Sequence, residues 1–79
     1  MLQDLTHDQL VKMMIVLQWR INDEQPKADH ATIRYYTSMS NSEMINYFGK
    51  PTDPIPEDYL KVTENIQTIE EFMRSQPAF

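Results

Sequence analysis

Met39-Ser40-Asn41-Ser42-Glu43-Met44 is a capping box held inside a hydrophobic staple. In this S/T-x-x-E/Q pattern the first side chain accepts from a free backbone N–H of the opening turn, and the fourth reaches back to the cap. The apolar residues on either side pack together and fix the entry angle. A helix therefore starts at Ser40, whose hydroxyl is expected to take the Glu43 N–H. Immediately before it stands the apolar, aromatic segment Ile33, Tyr35, Tyr36 and Met39, with Asp29 placed to cap a helix through Ala31, Ile33, Tyr35 and Tyr36. Residues 29–48 accordingly read as helix, turn, helix. The same grammar occurs once more, in Leu5-Thr6-His7-Asp8-Gln9-Leu10, so a second helix start is fixed at Thr6.

The helix that follows Thr6 carries a main apolar stripe of Leu10, Met13, Met14, Leu17 and Ile21, the spacing of one helical face, which is assigned to the core. Val11, Ile15 and Trp19 form a second stripe about 120–140° round the helix, too far to share one narrow contact. Such a helix needs cover on two sides. It is either the central helix of a bundle or leaves one stripe to a partner. Asn22 to Ala28 is a polar connector containing Pro26. Beyond Ser40, a short helix from Asn41 to Phe48 presents Met44, Ile45, Tyr47 and Phe48 and stops at Gly49, read as a left-handed cap with Pro51 preventing resumption. Pro51, Pro54 and Pro56 make residues 49–56 an extended, stiff connector and the best boundary between two halves. The last helix starts near Pro56 with Glu57 and Asp58 at the positive end of its dipole. Tyr59, Val62, Ile66, Ile69 and Met73 give it a short a/d seam, opposite an acidic line of Glu57, Glu64 and Glu71. No alternating strand pattern and no internal repeat is evident. The fold class is all-α: a single domain over 1–79, a compact bundle of three to four short helices with a helix-turn-helix-like corner at residues 29–48.

Composition narrows the chemistry. The 79 residues include no cysteine, which removes disulfides, thiolate nucleophiles and Cys-rich zinc sites and leans toward the cytoplasm. The longest apolar run, Met13 to Leu17, is far short of a membrane span, and the Met-Leu-Gln-Asp start does not resemble a secretory signal. His7 and His30 lie apart without HExxH-like spacing, and one glycine in the chain rules out a phosphate-cradling loop. No catalytic, cofactor or metal residue is assigned, and no enzyme activity is expected. The formal charge is −5, concentrated in residues 51–79, where six acids face Lys61 and Arg74. A negative field repels nucleic acid and favours a protein partner with a basic surface.

Two functional readings compete. Ile33, Met39, Met44 and Tyr47 fall at the buried positions of a DNA-reading helix pair, with Ser38 at the turn, and this segment resembles the helix-turn-helix of many small bacterial and phage regulators. That resemblance implies a transcriptional regulator, dimeric through the last helix, with Asn41, Ser42, Asn46 and Lys50 at the DNA. Arg34 departs from the pattern, standing where those regulators have a small buried residue. The exposed face also offers one cation against one carboxylate, whereas phosphate contacts from Lys and Arg dominate affinity. The leading reading is instead a small acidic protein-binding module, an adaptor or stoichiometric inhibitor of a larger protein such as a nucleic-acid-binding enzyme. Methionine and ring side chains are abundant for so small a core, and Trp and Tyr are favoured interface anchors. Trp19, Tyr35, Tyr36 and Phe48, flanked by Glu57, Glu64 and Glu71, form its expected docking patch.

Overall fold

A computed structural model of the chain describes residues 1–22, 30–64 and Glu71. A 3-10 turn, Leu2–Asp4, precedes four helices: α1 (His7–Asn22), α2 (His30–Thr37), α3 (Asn41–Asn46) and α4 (Glu57–Glu64). No strand occurs among the described residues. Both helix starts lie where the capping boxes put them. The Gln9 N–H donates to Thr6 Oγ1 at 3.2 Å while the Thr6 N–H donates to Gln9 Oε1 at 2.8 Å. At the corner, the Glu43 N–H donates to Ser40 Oγ at 3.2 Å. The staple residues Leu5, Leu10, Met39 and Met44 all belong to one core cluster. The Pro26 connector, the Asp29 cap and the seam residues Ile66, Ile69 and Met73 lie outside the described residues.

α1 is the central helix. It packs against α2, α3 and α4, which is what an apolar surface on most of its circumference requires. Leu10 and Met13 of the main stripe and Val11 and Ile15 of the second are all fully buried, and Trp19 packs half-buried against the same cluster. The main stripe ends sooner than its spacing implies, however. Ile21 is 72 % exposed, because no described residue closes over the last turn of α1.

The packing around α1 also encloses a charge. Lys12, between the two stripes, is only 2 % exposed, and this desolvation holds its ammonium below the ordinary lysine value. The folded chain therefore gives up this proton more readily than the unfolded chain does. Between the depressed value and the ordinary one the unfolded state binds more protons, so stability rises with pH across that window. Wild type is expected to gain stability on Lys12→Met as pH is raised from neutral into that alkaline range, since titrations shared by both proteins cancel. Urea midpoints of the two proteins measure the gap. A gap independent of pH would mean that the ammonium reaches water.

α4 runs back along α1. Gln9 Nε2 donates to the Thr63 carbonyl at 2.9 Å near one end, and Arg20 reaches the Asp58 carbonyl at 3.4 Å near the other. The buried Tyr59 ring carries the Arg20 guanidinium over its face, 4.7 Å from the centroid, and meets Phe48 edge-on at 5.1 Å. The described start of the α4 seam is thus spent within the chain. Every buried side-chain nitrogen and oxygen among the described residues has a partner.

The Pro-rich connector is pinned to the opening residues. The Leu2 N–H donates to the Asp53 carbonyl at 3.0 Å, the Gln3 N–H donates to that of Pro51 at 2.9 Å, and the Leu2 side chain is fully buried. Gly49 starts the turn that makes this possible. Its φ of +150° lies well beyond the left-handed helical value of about +57°, so it serves a tight turn rather than the left-handed cap expected from sequence. Asp53 closes that turn, accepting the Lys50 N–H on its carboxylate at 2.8 Å and donating its own N–H to the Lys50 carbonyl at 3.0 Å.

Candidate functional site

Met14, Leu17, Gln18 and Ile21 recur at i, i+3, i+4 and i+7, so they share one face of α1. Tyr35 and Tyr36 of α2 and Tyr47, just past α3, stand opposite that face. Together with Asn22 these residues line an open groove of about 250 Å³. Met14 and Tyr36 form its buried floor, and the Tyr36 hydroxyl donates to Gln18 Oε1 at 2.7 Å. Ile21, Tyr35 and Tyr47 form the rim and are more than 60 % exposed. The Tyr35 and Tyr36 rings meet at 5.1 Å and 76°, an edge-to-face pair favoured by the ring quadrupole. No lining residue carries a formal charge. Arg34, next to Tyr35 in sequence, is exposed and outside the lining.

The position of the α2–α3 corner across α1 is set partly by His7. Its Nε2–H donates to the Thr37 carbonyl at 2.8 Å, and its Nδ1 meets Asn41 Oδ1 at 2.7 Å. One half-buried ring therefore ties the first turn of α1 to the end of α2 and the start of α3. Sequence spacing gave this histidine no role. The bonds join residues some thirty positions apart, which no local pattern records.

The residues singled out from sequence are dispersed. Tyr35 and Tyr36 belong to the groove, Tyr36 as its floor. Trp19 and Phe48 are half-buried and pack on the core, Phe48 against Tyr59. Glu57 and Glu71 are exposed, and the Glu64 side chain lies outside the described residues. Asn41, Ser42, Asn46 and Lys50 are exposed as well, on and just after a helix of six residues, but the Asn41 amide is already engaged by His7. Ile21 and Tyr47, the most exposed groove residues beside Tyr35, did not stand out. Their apolar spacing was legible, but periodicity does not say which end of a stripe goes uncovered. Among the described residues no three of His, Cys, Asp or Glu converge in a metal-binding arrangement, and no helix is long and apolar enough to cross a membrane. Compared with protein-family models, curated proteins and solved structures, the chain matches none.

Proposed function

We propose that this chain is a small acidic protein-binding module, an adaptor or stoichiometric inhibitor that docks a segment of a larger, basic protein in the groove between α1 and the α2–α3 corner. The observation that carries this reading is the rim: Ile21, Tyr35 and Tyr47 are 72 %, 63 % and 62 % exposed around a concave apolar floor. Burying such side chains releases about 25 cal/mol per Å² of apolar area, which folding of this chain alone leaves unused. Tyrosine is among the residues that most often dominate interfaces. The charge of −5 supports the basic partner, because complementary fields speed encounter and repel acidic competitors.

The test compares wild type with Ile21→Ser/Tyr47→Ser in quantitative affinity capture from host cells. Both positions are exposed, so the double variant is expected to keep the wild-type thermal midpoint within about 0.5 kcal/mol per site. A partner held directly by the groove should be retained at least roughly 30-fold less by the variant, the equivalent of a 2 kcal/mol hot spot. Equal retention by both proteins would remove the groove from the interface. Random duplex DNA at about 150 mM salt serves as the competing probe, since basic proteins bind it non-specifically at roughly 10⁻⁴–10⁻⁶ M. Micromolar, salt-sensitive binding there would put the regulator reading first.

A further inference from the structure

The groove also points to the kind of side chain it receives. We infer that the docked residue is cationic, an arginine or lysine of the basic partner, with its stem along Met14, Leu17 and Ile21 and its charged head against the rings of Tyr35 and Tyr47. This rests on the docking reading above and specifies its occupant.

Size and chemistry lead to the same guest. About 250 Å³ is below the usual range of ligand pockets, roughly 300–1,000 Å³, and suits one long side chain rather than a whole helix. The lining combines an aliphatic floor with three tyrosines and the amides of Gln18 and Asn22, and it contains no basic group. A side chain with an apolar stem and a polar, charged tip matches that division. A carboxylate guest would face both the negative ring faces and the −5 charge of the chain. A purely aliphatic guest would desolvate phenol and amide groups without giving them anything. A cation is attracted to the ring faces, and the chain already uses this interaction internally, with the Arg20 guanidinium 4.7 Å above Tyr59.

The experiment is an NMR titration of the full-length, isotopically labelled protein with a short Gly/Ser peptide bearing one central arginine, and with counterparts bearing citrulline or norleucine. Citrulline keeps the shape of arginine and removes its charge. The arginine peptide is expected to shift Tyr35, Tyr47 and Ile21 resonances, and to bind roughly 3- to 30-fold more tightly than the citrulline peptide, the span of cation–π energies. Tyr47→Ala should remove most of that preference while leaving the spectrum of the core unchanged. Equal or tighter binding of the norleucine peptide would overturn the cationic guest and leave a purely apolar dock, so the docking reading would survive. If no peptide shifts the groove resonances, the inference falls, and the capture experiment with the Ile21/Tyr47 variant judges the docking reading independently.

Discussion

Leu2→Ala is expected to destabilise the protein by about 2–5 kcal/mol, the range for truncating a fully buried leucine. A single core in a chain of this size supplies only roughly 3–5 kcal/mol of net stability, so the variant should be largely unfolded at physiological temperature. The first residues of most domains are poorly ordered unless tied down, and here they are tied down. Leu2 is 0 % exposed, and its backbone N–H donates to Asp53. Gln3→Ala is the control: its side chain is exposed and only its backbone bonds to Pro51, so its effect should stay within about 0.5 kcal/mol. Urea denaturation followed by circular dichroism measures both. Equal midpoints for the two variants would show that the opening segment contributes nothing to the folded state.

Gly49→Ala is expected to cost about 1–3 kcal/mol, from two separable sources. A φ of +150° is strained for any residue with a side chain, and a Cβ built there would lie 2.6 Å from Asp53 Oδ2. The carboxylate can move away, but in doing so it gives up the Lys50 N–H. Asp53→Ala removes the obstacle along with that hydrogen bond. The Gly49→Ala/Asp53→Ala double variant should therefore be less destabilised than the sum of the single ones, and the remainder measures backbone strain alone. Strict additivity would mean that the two residues do not share the turn.

Local signals were legible and relational ones were not. Thr6 and Ser40 announce helix starts because a cap and its partner lie three residues apart. The stripes along α1 announced cover on more than one side because burial repeats with the helix period. These two kinds of signal carry the all-α bundle and its central helix. Lys12 gave no such warning: a lysine between two apolar stripes reads as the solvated edge of a helix until three other helices close round it. His7 was unreadable for a similar reason, since its partners Thr37 and Asn41 belong to other helices. Tyr35 was placed in a docking patch on aromatic character alone, and Tyr36 with it. The structure puts them in one groove, with Tyr36 turned inward to Gln18.

The partners of the opening segment impose an order on how the protein is made. Residues 2, 3, 7 and 9 bond to residues 53, 51, 37, 41 and 63, so α1 is synthesised well before anything that covers it. A helix apolar around most of its circumference then waits beside the ribosome with no companion, and the bonds that hold its first turn cannot form until most of the chain has emerged. Folding is thus a single late event after synthesis rather than a growth from the first helix outward. Its high sequence separation of contacts makes it slower than helical bundles built from neighbouring hairpins.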